Sequence, residues 1–389
     1  MLRFIGKNTL LLAVVVPIIV LVSGCSPLQP SIKIGVVLPL TGSYAIYGQQ
    51  ALHGAELAVD QINQSGGILG RKLELVIRDN QTDPAKTVKY SRELINQQVF
   101  ALIGPVSSAS RYAMTEIAEE FKTPLFYGMD YEGRHFNRYL ICYSAIPEHY
   151  IDPLIPYLID NVGNSFYIYG YDYIWPHRMS KRIIESVNQH QGRITNTEFT
   201  AFGTTNFSPV FERIKRSGAK TLMLFLPGTE GFTFLTEMRQ YDFGRSVQVV
   251  AFAADETYLP NLAAENLEGI LTALHFFNHL QDQPSKQFVR DYQQMHGADA
   301  IATYASKAHY DLIYVLKSGL ESAGEVDREA MIDALPGLTL YQGAKAITLR
   351  ADHHFNLPMY LARFHAGSLQ TVKELGTIIP GDQRSRTDE

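Results

Sequence analysis

The chain has 389 residues, 46% of them hydrophobic and 19% charged, with a formal net charge of −5. This composition belongs to globular protein and excludes fibrous and disordered classes. A net negative chain has no basic field for phosphate backbones, so nucleic acid is not an expected partner.

The first residues form a targeting segment. Arg3 and Lys7 give a positive start, and the apolar run from Leu10 to Val22 is short for a membrane span and broken by Pro17. "VSGC" follows and ends at Cys25. Small residues before a cysteine resemble the bacterial lipobox, whose cysteine becomes the lipidated first residue. The other reading is an uncleaved anchor with a chance cysteine. The expectation is a signal peptide over 1–25, lipidation of Cys25, and attachment to a membrane without spanning it. Cys142 is the one other cysteine. With Cys25 lipidated it has no disulfide partner, and in "LICYSA" it reads as an inert core residue.

The rest of the chain alternates. "SIKIGVVLPL" reads as a strand. Leu52, Ala55, Val59 and Ile62 recur at helical spacing, and Gly66 and Gly67 end that helix. "RKLELVI" is a second strand. Asp83 is an N-cap with Pro84 at the first helical position. "FALIG" and "TPLFYG" are further strands, with a helix carrying Met114, Ile117, Ala118 and Phe121 between them. Strands follow at 138–143, 165–170, 193–199, 220–226, 247–252 and 268–276, with helical patterns between. This order predicts βαβ units and largely parallel sheet. So many strands are too wide for one sheet, and two α/β lobes are the simpler solution. "AIPEHY" breaks the pattern near 145–150.

Catalytic and cofactor signatures are missing. No G-x-G-x-x-G follows the first strand, and there is no P-loop, G-x-S-x-G or H-E-x-x-H. His275 and His279 are four apart but in a strand-like run, too far apart for a shared metal. His353 and His354 sit in a polar turn and read as surface residues. No enzyme activity, cofactor or metal is expected.

Polar and aromatic residues instead collect at strand ends, where ligands bind in open α/β sheets. Ser107 and Ser108 follow the third strand, as helix caps and as donors for a ligand. Tyr127, Asp130 and Tyr131 follow the fourth. In "FYIYGYDYIWP", 166–176, the aromatics up to Gly170 read as core. Tyr173 is expected to face a ligand and Trp175 to close one wall, with Pro176 starting the next helix. Thr229 and Glu230 follow a later strand. Asp255, Glu256 and Thr257 follow another, where the acidic pair either caps a helix or does acid–base work. Together these residues describe a cleft between two lobes.

The stretch from "IKIGVVLPLTGSYAIYG" through "INQSGGILG" to "RDNQTDP" resembles the opening of type I periplasmic binding proteins of the branched-chain amino acid and amide group. "IGPVSSAS" resembles that family's ligand-binding turn. The likeness runs from about Ile32 to about Ile379. "YEG" at 131–133 and "GYDYIWPHR" look more like the short-chain amide and urea binders than the leucine binders. Met129 stands where those have threonine, Gly128 and Asp130 replace prolines, and Tyr171 replaces serine, so the pocket is expected to differ.

The resemblance implies two doubly wound parallel-sheet lobes joined by a three-strand hinge. Residues 32–145 with 275–348 would form lobe 1, and 146–274 with 349–379 lobe 2. It implies ligand contacts from Ser108, Tyr127 and Tyr173, with Trp175 where the amide binders have an aromatic residue, and Ser107, Met129, Tyr131 and Thr229 complete the expected ligand-binding set. It also implies that Asp255 or Glu256 would hold an ammonium group, and Tyr171 and Trp175 could hold a cation on their ring faces. The implied role is a lipid-anchored, cell-envelope protein that traps an amide, urea or amino acid by hinge closure and delivers it to ABC permease subunits. The alternative is a sensor of the same fold that feeds a receptor or regulator.

Overall fold

The computed structural model describes residues 1–2, 29–241, 246–342 and 345–384. Arg3, Lys7, the apolar run and Cys25 lie outside the described residues, so the expectations for them stand as made.

The strand β1 (Ile32–Leu38) is buried at every position but Lys33. Such an apolar run suits a parallel strand covered on both faces. It is followed by α1 (Ala45–Gln64), β2 (Leu73–Asp79), α2 (Pro84–Asn96), β3 (Ala101–Ile103), α3 (Ser108–Glu120), β4 (Leu125–Tyr127) and β5 (Leu140–Cys142). These strands form one parallel sheet in the order β2-β1-β3-β4-β5. The Asp83 carboxylate caps α2, accepting from the Ala85 N–H at 2.7 Å, and Ser107 caps α3, accepting from the Ser110 N–H.

The chain then passes through α4 (Pro147–Asn161) into β6 (Ser165–Tyr171), α5 (Ile174–Gln189), β7 (Arg193–Thr200), α6 (Ser208–Ser217), β8 (Thr221–Phe225), α7 (Thr229–Met238) and β9 (Gln248–Ala251). The short helices α8 (Tyr258–Asn261) and α9 (Ala264–Leu267) lead into β10 (Leu271–Leu274). After β10 it returns to the first sheet as α10 (Gln283–His296), α11 (Tyr304–Ala323) and α12 (Arg328–Asp333). The antiparallel pair β11 (Thr339–Gln342) and β12 (Lys345–Thr348) precedes β13 (Leu357–His365) and β14 (Ser368–Ile378). The second sheet has the order β14-β13-β10-β9-β8-β6-β7.

Two α/β lobes are present, as expected. The sheets are largely parallel, as expected, and β13 and β14 add an antiparallel pair at one edge of the second. The helix after β6 begins at Ile174, not Pro176, so Trp175 lies in its first turn.

Both sheets repeat one pattern. In the first, β2 and β3 flank β1; in the second, β7 and β8 flank β6. The winding reverses beside β1 and beside β6, and each reversal opens a crevice at the carboxyl ends of the strands. At Gly54 of α1 an added Cβ would stand 1.9 Å from the Ser306 carbonyl oxygen of α11, so these two helices touch backbone to backbone.

Candidate functional site

The two crevices face each other across a cavity that is partly open to solvent. The first lobe contributes Tyr44 and Tyr47 from the start of α1, Val106 and Ser108 from the β3–α3 turn, and Met129 and Asp130 after β4. The second contributes Tyr173 and Trp175 from the β6–α5 turn and Pro227 after β8. The room that a water-sized sphere finds between these side chains is about 30 Å³, so the two walls stand close together.

Hydrogen bonds from α1 reach the second lobe at the cavity. The Tyr44 hydroxyl donates to the Tyr173 hydroxyl at 3.1 Å, and the Tyr47 hydroxyl donates to the Ala253 carbonyl at 3.0 Å. Phe202 stacks on Tyr171 with ring centroids 4.3 Å apart and also approaches Tyr44 and Tyr173. These rings form an aromatic rim on the tyrosine side.

Asp130 is the one charged residue in the cavity wall, and one of its oxygens accepts from the Ala145 N–H at 2.9 Å. Burial pushes its carboxyl up to about 7. The basic group beside it is His275, 3.8 Å away, which burial holds neutral with a pKa of about 3. The buried Trp175 indole N–H lies by the Tyr150 hydroxyl without completing a hydrogen bond among the described residues.

Behind this wall lies a second layer. The Ser108 hydroxyl donates to Glu132 at 2.7 Å, and Glu132 accepts from Arg111 at 2.5 Å. Both charged side chains are fully buried. The guanidinium lies 4.3 Å from the centroids of Tyr112 and Tyr131, and such ring faces favour a cation. Burial works against the Arg111 charge, but Glu132 and the tyrosines hold its pKa above the ordinary value.

Among the residues singled out by sequence, Ser108, Met129, Tyr173 and Trp175 come together in the cavity wall. Ser107 serves as the α3 cap. The Tyr127 hydroxyl donates to the Val106 carbonyl, and Tyr131 bonds His354, so both stand behind the wall. Thr229 is exposed at the start of α7, away from it. Tyr171 bonds Glu230 at 2.9 Å.

Asp255 and Glu256 are buried outside the lining. Asp255 accepts from Thr257, and Glu256 accepts from the Asn278 N–H at 2.6 Å. Their remaining oxygens have no hydrogen-bond partner among the described residues. Burial pushes these carboxyls up to about 6 and about 8, the nearby Asp255 charge adding to the rise at Glu256.

His353 and His354 are buried, not surface residues, because they pack under β5, where the Cys142 N–H donates to the His353 carbonyl. Cys142 is core, its thiol pushed up to about 12 by burial. His275 and His279 have different surroundings, the latter bonding Thr371. Tyr44, Tyr47 and Pro227 were not chosen from sequence, and Asp130 was named at a strand end without a ligand role. All four follow strand ends, the same signal that found Tyr173.

The model of the family described as "Periplasmic binding protein" matches residues 31–368. The chain therefore belongs to that family, whose members are periplasmic solute-binding proteins and not enzymes. It is 24% identical over 320 residues to the leucine-, isoleucine-, valine-, threonine-, and alanine-binding protein of Pseudomonas aeruginosa, covering 78% of this chain and 82% of that one. An ABC transporter solute-binding protein from R. palustris, solved with benzoate, superposes with a TM-score of 0.82 at 19% identity, covering 91% of this chain and 98% of that one. A branched-chain amino acid transporter substrate-binding protein from Streptococcus pneumoniae, solved with isoleucine, gives 0.78 at 22% identity, covering 88% and 99%.

Proposed function

We propose that this protein is an exported, Cys25-lipidated solute-binding protein that captures an amino acid, a short amide or urea between its lobes. The closed form then presents that ligand to an ABC permease. Residues 32–145 with 275–348 would move against 146–274 with 349–379 about the three crossings.

The observation that carries the ligand class is Asp130, a buried carboxyl facing a cavity with no Lys or Arg in its lining. Such a group accepts hydrogen bonds from an ammonium or amide N–H and repels a carboxylate placed beside it. A ligand carbonyl or carboxylate would turn toward the Trp175 indole N–H. The tyrosine walls add apolar area and, for an ammonium ligand, ring faces.

The benzoate-bound relative suggests aromatic acids as the competing class. Arg111 is the nearby cation such a ligand would need, and it is already paired with Glu132.

A thermal-shift panel tests the reading, because a ligand that binds only the folded form raises the melting temperature. The twenty amino acids, formamide, acetamide, urea, benzoate and p-hydroxybenzoate would be screened. Stabilisation by an N–H-bearing ligand, with none by the benzoates, is expected. Stabilisation by the benzoates alone would overturn the ligand class.

A further inference from the structure

Away from the cleft, α1 and α10 bring two imidazoles and a carboxylate together. His53 and Glu56 are three apart on α1 and so share a face. His296 is the last residue of α10. One donor atom from each lies within 4.8 Å of the others, and all three side chains are half-buried. The two imidazole rings are stacked, with centroids 4.3 Å apart.

Hydrogen bonds to the outer nitrogens set which nitrogens remain available. The Tyr292 hydroxyl donates to Gln50 Oε1 at 2.7 Å, so its oxygen accepts from His53 Nδ1–H at 3.2 Å. This leaves the lone pair of His53 on Nε2. The His53 carbonyl accepts from His296 Nε2–H at 3.1 Å, leaving the lone pair of His296 on Nδ1. Metal-binding histidines are oriented in this way, with the second nitrogen donating to an oxygen.

We infer that His53 Nε2, His296 Nδ1 and the Glu56 carboxylate form a binding site for a zinc-type divalent transition metal, with water as the fourth ligand. Two imidazoles and a carboxylate suit such an ion. Tetrahedral coordination sets donors about 3.3 Å apart, so the three must close and the stacked rings must turn until both lone pairs meet at one ion. His296 ends its helix beside Gly297, at φ 112°, and can swing inward there. The bound ion would clip α10, the first helix after the return from the second sheet, onto the helix that carries Tyr44 and Tyr47.

The test uses the full chain without a polyhistidine tag, stripped with chelator and then titrated with Zn(II) against a chromophoric competitor. One ion per chain is expected. His296→Gln and Glu56→Gln should each weaken binding about tenfold or more. Tyr292→Phe, which leaves all three ligands in place, should weaken it about tenfold by releasing His53 Nδ1–H. Co(II) should give visible d–d bands of tetrahedral intensity in the wild type and lose them in His296→Gln. Binding that is absent, or unchanged in both ligand variants while circular dichroism shows them folded, would overturn the inference.

Discussion

Two sets of buried charge lie within one region of this molecule, and they are treated in opposite ways. Arg111 and Glu132 are fully buried, paired at 2.5 Å, backed by Ser108 and flanked by tyrosine rings. Asp130, with a side chain 5% exposed, and the buried Asp255 and Glu256 are raised by burial to about 7, 6 and 8, and none of them pairs with a Lys or Arg among the described residues. A charge that the protein satisfies itself is scaffold. A buried acid without a cation suits the proposed receiving role, and of these three Asp130 faces the cavity.

The largest effect is expected on the satisfied pair. Arg111→Met leaves Glu132 buried without its cation and should cost about 3–5 kcal/mol in urea unfolding. Adding Glu132→Gln should recover more than half of it. A single variant within about 1 kcal/mol of wild type would break the contrast.

On the other side, Asp130→Asn should weaken the ligand found in the thermal-shift panel about 100-fold, or about 2.7 kcal/mol. Unfolding stability near neutral pH should hold or rise. Equal loss of stability and affinity would place Asp130 with the scaffold instead.

The pH dependence of stability carries a smaller signal of defined sign. The three acids hold protons in the folded state that the unfolded chain loses above about pH 4. Their stabilising contribution is therefore complete at low pH and is lost as pH rises through about 6 to 8. Buried His149 and His275, lowered to about 3, and His309 and His354, lowered to about 4, act oppositely. The unfolded state protonates them below about pH 6.5, so they destabilise the fold in acid. Above pH 7 the histidines are neutral in both states, and stability should fall from pH 7 to 8.5. The Asp130→Asn curve should be flatter between pH 6 and 8. Parallel curves from chemical denaturation would contradict the raised Asp130 carboxyl.

The smallest effect is a control remote from both sets. Asp83→Ala removes the cap of α2 and should cost about 1 kcal/mol, with ligand affinity unchanged.

Much of the architecture was legible because buried parallel strands are short apolar runs between amphipathic helices. Asp83, Pro84 and Ser107 announced helix starts by their capping chemistry. β14 was not legible, since most of its residues are exposed at a sheet edge and carry little alternation. His353 and His354 looked like turn residues, and only packing from β5 buries them. At the cavity, the strand-end rule brought Ser108, Tyr173 and Trp175 together. It was not carried to the end of β1, where Tyr44 and Tyr47 stand. Asp130 was noted in sequence but passed over for Asp255 and Glu256, because nothing in a linear chain tells which acid faces inward.

The contact at Gly54 has a mechanical consequence. At Gly54 no side chain separates α1 from α11, so that point of contact has no compressible layer to absorb sliding. α1 carries two tyrosines of the cavity wall, and α11 belongs to the segment that has just returned from the other lobe. If the lobes rotate as proposed, motion at that return would reach the tyrosines through this contact, as through a rigid lever. A methyl group at Gly54 would pry the lever apart at its fulcrum, and the fault would be felt in how the lobes meet, at a distance from the substitution itself.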